Sequence, residues 1–465
     1  MTRMAAQEHC SEASGVLARR SSGAAYRTWW VSIALSAVLV RLLWIVQVPI
    51  SPVSDCVAYD TFARNLSKGL VYGFDGVHPS AYWPVGTSFM YSLVYRIFDP
   101  ETWGYMPVAA WNLIVGVATV IAGLRLAQRW FGRTVGLAAG ALLALWPLHV
   151  QFTTAIASEQ IFTLLCILGM LAWPEPRDRG WVLRSCIAGL VFAAATYVKP
   201  TAALLPLVLA GSVWLRGRPL RQTFAQALIA CTVMAMLILP WSVRNTRAFG
   251  RFVVVSTNGG SNLWMGNNPE SDGHYMHPPT LPPGWNEAQV DAELGRRARE
   301  HIRNEPVAFM SRTVVKAVRL HERQTIGIAW NLPSLEANMS PGAVLTMKIA
   351  SQTYWFVALV AALCGAGVLA WRWRWRAIGH PALAVWAYFT LVHAVIVIQD
   401  RYHFPATPVI GSLAALAFVS AWRRRGSGHP DMIPDPEETI ACRERRPASS
   451  PPVRNGLQGP WRKCR

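Results

Sequence analysis

Carboxylates are scarce in this sequence: 25 Asp and Glu stand against 44 Lys and Arg among 465 residues, and charged residues together reach only 15%. Soluble globular domains carry about 25% charge, so an ordinary water-exposed enzyme is excluded. Cysteines are also few. There are eight, and Cys166, Cys186, Cys231 and Cys364 fall inside apolar runs; only Cys56 is expected outside, which leaves no external disulfide framework. Internal repeats are absent. The net charge of +19 would suit nucleic acid if it were gathered on one face, but the basic residues come in short groups between apolar stretches, and no nucleic-acid partner is expected.

What the sequence has instead is apolar bulk: 52% hydrophobic residues with 22 Trp and a mean hydropathy of +0.25. A span needs about twenty apolar residues to cross roughly 30 Å of hydrocarbon. Stretches of about that length occur at 28–48, 105–127, 134–150, 154–173, 182–198, 201–215, 223–240, 343–370, 381–398 and 404–421, several of them short. The expectation is an all-α polytopic membrane protein of about ten transmembrane helices. The aromatic stretch AYWPVGTSFMYSLVYRIF, interrupted by Pro84, is read as lying along the interface. The first span has a basic flank but a long apolar core and no small-residue cleavage site before Asp55, so it is expected to stay uncleaved.

Cytoplasmic loops are enriched in Lys and Arg, and every second loop here is basic. Arg19, Arg20 and Arg27 precede the first span. Arg125, Arg129 and Arg133 follow the second, Arg177, Arg179 and Arg184 the fourth, and Arg216, Arg218 and Arg221 the sixth. WRWRWR at 371–376 and Arg423 to Arg425 complete the series. Both termini are therefore expected in the cytoplasm, as disordered stretches at 1–27 and 422–465, with the chain lodged in the plasma (inner) membrane. The transmembrane half at 28–240 carries an external loop at 49–104, a second external segment covers 241–342, and C-terminal spans fill 343–421. In that second segment FVVVST and NGG read as a strand and tight turn, giving a small external α/β element. NEAQVDAELGRRAREHIRN reads as a polar helix ending before Pro306, and VAFMSRTVVKAVRLHER as an amphipathic helix suited to a membrane surface.

This topology gathers unusual polar residues on the external side. SPVSDCVAYDTFARNLSKG places Asp55 in the first turn of a short helix with Tyr59, Phe62 and Leu66 on one stripe; Ser54 is a candidate N-cap, and the helix dipole alone favours such an aspartate. Glu159 lies in an apolar run, where a free carboxylate costs a few kcal/mol. Lys199 in YVKPT and Arg244 in PWSVRN stand at span ends, where snorkelling is the alternative to function. Arg401 in QDRYHFP neighbours Asp400, an alternative ion pair. Arg41 lies inside the first span. His274, His277 and His301 lack the closely spaced ligand pair of a zinc site, so no metal site is assigned, and a divalent cation stays an open cofactor.

One exposed carboxylate with several cations suits transfer of a sugar from a polyprenyl phosphate. The carboxylate acts as general base on the acceptor hydroxyl and the cations stabilise the departing lipid phosphate. The phosphate leaves without a protonating acid, so one carboxylate suffices and a single displacement inverts the anomeric carbon.

In the same stretches the chain resembles the GT-C glycosyltransferases of the protein O-mannosyltransferase and aminoarabinose transferase type (glycosyltransferase family 39-like). SDCVAYDTFARNLSKG is similar to the first external segment of these enzymes, ASEQIFTLL to their second acidic motif, PWSVRNTRAFGRFVVVSTNGGSNLWMGNNP to the entry to their external domain, and RYHFP to their last external loop. The resemblance implies catalytic roles for Asp55 and Glu159. On the combined reading Lys199, Arg244, Arg401 and Arg41 bind lipid phosphate, and Tyr59 and Tyr402 contact substrate. Cys56 stands where many relatives have a second acidic residue, which leaves metal dependence open. The implied partners are a polyprenyl-phosphate-linked sugar and an envelope glycan, lipid or protein acceptor. The alternatives are a transporter or lipid flippase, or a ligase or polymerase moving a glycan from a lipid diphosphate.

Overall fold

The computed structural model describes residues 26–175 and 178–426. Most of both expected tails, with Arg19, Arg20 and Arg177, lies outside them. The described residues up to Ser420 belong to one compact unit.

Among the described residues the chain is helical, with no strand. A long first helix, α1 (Tyr26–Gln47), leads into the loop helices α2 (Asp55–Ser67), α3 (Val85–Ile97) and α4 (Pro100–Trp103). The first half continues with α5 (Met106–Phe131), α6 (Arg133–Leu145), α7 (Pro147–Gln151), α8 (Glu159–Ala172), α9 (Trp181–Val198), α10 (Leu205–Leu215) and α11 (Leu220–Phe249). The segment between α11 and the next long helix holds α12 (Gly259–Gly266), α13 (Glu287–Asn304), α14 (Pro306–Arg319), α15 (Ile326–Trp330) and α16 (Leu332–Asn338). The chain closes with α17 (Pro341–Trp373), α18 (Pro381–Val395) and α19 (Thr407–Gly426).

All ten apolar stretches are helical, but their lengths differ from the expectation. Six helical runs are long and apolar enough to span, and the bent pair α6 and α7, turned by 52° at the Trp146–Pro147 junction, makes a seventh. Glu159–Ala172, Pro200–Leu215 and Pro381–Val395 are shorter. The bend follows from Pro147, which has no N–H to continue α6. Two of the short helices meet the site directly: α8 begins at Glu159, and past the end of α18 residues 396–403 run without a full helical turn. Non-helical backbone buried in the protein must find other hydrogen-bond partners. Ile398 N–H donates to the Gly273 carbonyl at 2.9 Å, and the Ile396 carbonyl accepts from Lys316 Nζ at 2.8 Å.

Among the described residues of 241–342 the regular elements are all helices and FVVVST is irregular, which corrects the expected strand there. Those carbonyls are taken by side chains of α11 instead of a neighbouring strand: Ser242 Oγ donates to Val254 O at 2.7 Å, and Trp241 Nε1 to Val255 O at 2.9 Å. The polar helix forms as α13, with a capping box between Asn286 and Gln289. The amphipathic helix forms as α14 and exposes Val307, Met310, Val314 and Val318, one stripe at helical spacing.

Two small cores bind the first loop and the segment after α11 to the bundle. Ala81, Phe249, Val253 and Ala288 pack the first loop against the end of α11 and the start of α13. Val48, Ile328, Leu335 and Val344 join the end of α1 to α15, α16 and α17.

Candidate active site

Asp55 is the first residue of α2, and the backbone before it is strained. Ser54 has φ 52° and makes no capping hydrogen bond through its side chain, so the expected Ser54 cap does not form. A left-handed serine is uncommon, and it lets the chain turn sharply from the end of α1 into α2. Tyr59 and Phe62 bury the inner stripe of the helix while Leu66 stays half-buried. Asp60 fixes the opposite side, accepting from Tyr95 at 2.5 Å, Tyr105 at 2.9 Å and Arg64 at 2.9 Å.

The short helices then bring residues distant in sequence together. Arg401 Nη2 donates to Asp55 Oδ2 at 2.6 Å, and Arg401 Nη1 lies 3.8 Å from Glu159 Oε1. Lys199 Nζ, just past the end of α9, donates to the same Glu159 oxygen at 2.8 Å. Two carboxylates and two cations thus form one chain, Asp55, Arg401, Glu159, Lys199, with no net charge. Arg401 does not pair with Asp400. The Asp400 carboxylate instead accepts from Thr325 N–H at 3.3 Å, and burial raises its pKa above the usual range. Arg401 is also held by Gln399 Oε1 at 2.7 Å and lies 4.7 Å from the Trp330 ring centre.

Burial pushes the Asp55 carboxyl up, but the charge and hydrogen bond of Arg401 outweigh it and hold the group below the ordinary carboxylate range. Asp55 is therefore ionised at neutral pH. Burial opposes the Arg401 charge, and Asp55 leads the groups that keep it protonated.

This chain of charges lies at the wall of a cavity of about 1450 Å³. Asp55, Tyr59, Lys199, Arg401 and Tyr402 line it. Glu159 does not: it is fully buried behind the two cations. Arg244 lies outside the lining, donating to Ser80 O at 2.9 Å over the Trp241 ring, where it fastens the first loop to α11. Arg41 departs further from the expected phosphate role. It is fully buried and donates to the carbonyls of Ala37 and Ala144 at 3.0 and 3.2 Å, bracing α1 against the bend of α6. Cys56 is 2% exposed, and burial raises its thiol pKa to about 12, so it is inert. Among the described residues no three His, Cys, Asp or Glu side chains come together as a metal site.

The cavity has lining residues that the sequence does not single out: Trp83, Trp330, His393, Arg319 and Arg323. His393 carries a faint signal, a histidine within an apolar helix. The others give none, because only the fold turns them toward one space.

Residues 84–286 match the family model Glycosyltransferase family 87. That stretch contains Glu159 and Lys199 but neither Asp55 nor Arg401. The fold is similar to that of the oligosaccharyltransferase AglB from Archaeoglobus fulgidus, solved with an inhibitory peptide and a dolichol-phosphate. Identity is 15% and the TM-score 0.51, over 90% of this chain and 53% of that one. An apo form of the same enzyme gives 13% identity and a TM-score of 0.52. The chain thus spans about half the length of these relatives and shares the GT-C fold with them. ArnT from Cupriavidus metallidurans is matched at 14% identity and a TM-score of 0.41, over 85% of this chain and 78% of that one. No curated protein matches the sequence.

Proposed function

We propose that this chain is a multi-pass membrane glycosyltransferase. It moves a single sugar from a polyprenyl-phosphate donor to a cell-envelope acceptor on the extracytoplasmic side, with inversion at the anomeric carbon. The observation that carries this reading is the chain of Asp55, Arg401, Glu159 and Lys199 at the wall of one large cavity. The family 87 match and the GT-C fold support it.

Asp55 is the general base. As the acceptor hydroxyl oxygen attacks the anomeric carbon, its proton passes to Asp55. The bond from that carbon to the phosphate oxygen breaks with the electron pair leaving on phosphate. Arg401 keeps the carboxylate ionised and fixes its direction. Its remaining donors, and those of the Lys199 ammonium beyond the one given to Glu159, are free in number to receive phosphoryl oxygens. Negative charge growing on the leaving phosphate is met by these cations in a partly buried setting, where such contacts are stronger than in water. Glu159, which does not reach the cavity, holds Lys199 and Arg401 in place and acts through them.

The test is sugar transfer by the purified protein from a panel of labelled polyprenyl-phosphate sugars. Asp55→Asn keeps the shape and removes the basicity. Turnover is expected to fall about a hundred- to ten-thousand-fold, while binding of polyprenyl phosphate survives. Near-normal transfer by this variant sinks the assignment. Transfer only from a lipid diphosphate moves the protein to another class of donor.

A further inference from the structure

The buried histidines of this protein differ in one respect. His149 meets Thr407 at 2.7 Å through Nε2, His380 accepts from Ala382 N–H at 3.2 Å, and His403 donates to Leu320 O at 2.9 Å while facing Gln324 at 3.0 Å. His393, 5% exposed, has no such partner among the described residues; its Nδ1 is sealed from solvent and unbonded. It is also the one of these four that lines the cavity. Its ring stacks on Tyr402, with centres 4.5 Å apart and planes 19° apart. Lys199 Nζ and Arg401 lie 5.6 and 5.4 Å from the same Tyr402 ring centre. His393 therefore stands with the two cations around one aromatic plate, at the wall where the donor is placed.

Orphaned buried N–H groups are rarer in folded proteins than under-satisfied acceptors, so the sealed Nδ1 carries the lone pair. That puts the proton on Nε2, the ring nitrogen left to meet a ligand. We propose that His393 is a substrate-binding residue whose neutral Nε2–H donates to an acceptor oxygen of the lipid-phosphate donor, either on the phosphoryl group or on the sugar. This deepens the glycosyltransferase reading and rests on it. The proton position also predicts selectivity: with its lone pair sealed, His393 can donate but cannot accept.

The experiment uses the full chain in nanodiscs. His393→Phe retains the stack on Tyr402 and deletes the N–H; His393→Gln restores a donor of similar reach. Undecaprenyl phosphate binding and the KM and kcat of transfer are measured for both, with melting temperature as the control for folding. If the oxygen is phosphoryl, His393→Phe weakens undecaprenyl phosphate binding about tenfold. If it belongs to the sugar, that binding is unchanged and KM for the sugar-bearing donor rises by a similar factor. In either case His393→Gln recovers most of the loss. The proposal is overturned if His393→Phe binds and transfers like wild type. It is equally overturned if the Gln variant, folded, is as impaired as the Phe variant. A wild-type protein that neither binds undecaprenyl phosphate nor transfers sugar removes the glycosyltransferase reading and this one with it. A wild type that does both leaves the two variants to decide the role of His393 alone.

Discussion

Arg401 has two tasks that pull in different directions. Its guanidinium holds Asp55 below the ordinary carboxylate range, which guarantees an ionised base but weakens that base, since general-base catalysis is best with a pKa near the working pH. The compromise makes a prediction of defined sign. In wild type the acid limb of the pH profile lies below the usual aspartate value. In Arg401→Gln the largest opposing charge is gone and burial, which pushes Asp55 up, is countered only by the Trp83 hydrogen bond and the Lys199 charge, so the acid limb moves to higher pH. The measurement is kcat/KM against pH for both proteins, and an unmoved or lowered limb contradicts the coupling. Glu159 belongs to the same balance. Glu159→Gln leaves Lys199 without its carboxylate, and slower transfer with residual activity is expected from the rate assay.

Helix ends, more than helix middles, build the site. The start of α3 sits against the end of α9, where a Cβ on Gly86 would lie 2.7 Å from the Tyr197 carbonyl and 2.8 Å from Val198 N. Only glycine permits this approach, and it brings Trp83 and Pro84 to the same cavity wall as Lys199. Overpacking of this kind costs about 1–3 kcal/mol. Gly86→Ala is accordingly expected to lower the melting temperature and, by parting the first loop from Lys199, to reduce transfer more than it reduces folding. A variant with a wild-type melting temperature and rate excludes this reading of the contact. Lys316 works on helix ends as well, donating to Gly266 O at 2.9 Å beside Ile396 O and so joining α12 and the chain after α18 to α14. Arg129 and Arg184 serve the C-terminal end of α8, donating to Leu171 O at 2.7 and 2.8 Å, where cations favour the helix dipole.

Across the whole molecule, the orientation in the membrane is argued from alternating arginine groups, and it decides on which side transfer occurs. Cys56 is too buried to report it. Exposed positions on the two expected sides do better: Val77 in the first external loop and Trp375 in the WRWRWR stretch are each 68% exposed. An impermeant maleimide is expected to label Val77→Cys in intact spheroplasts and Trp375→Cys only after permeabilisation. The reverse pattern inverts the topology and moves the cavity to the cytoplasmic side.

Apolar run length and arginine alternation determined the membrane class, because hydrocarbon admits few folded forms and a run of twenty apolar residues has little choice but a helix. A carboxylate in an apolar run is costly enough to stand out, so Glu159 was legible singly, whereas Asp55 alone read as an ordinary first-turn aspartate and drew its catalytic role from the resemblance. Their partnership was not legible. Arg401 is 346 residues from Asp55, and no local pattern tells whether it faces Asp400, lipid or the other end of the chain; the short helix α18 and the pinned stretch after it decide that. The same holds for Arg41 and Arg244, cations whose type suits phosphate but whose helices turn them to backbone carbonyls. FVVVST had the composition of a strand, yet β pairing needs a neighbouring strand, and the fold laid side chains of α11 there instead. Residue chemistry is local and can be read from the sequence, whereas which polar group meets which is fixed by packing over hundreds of residues.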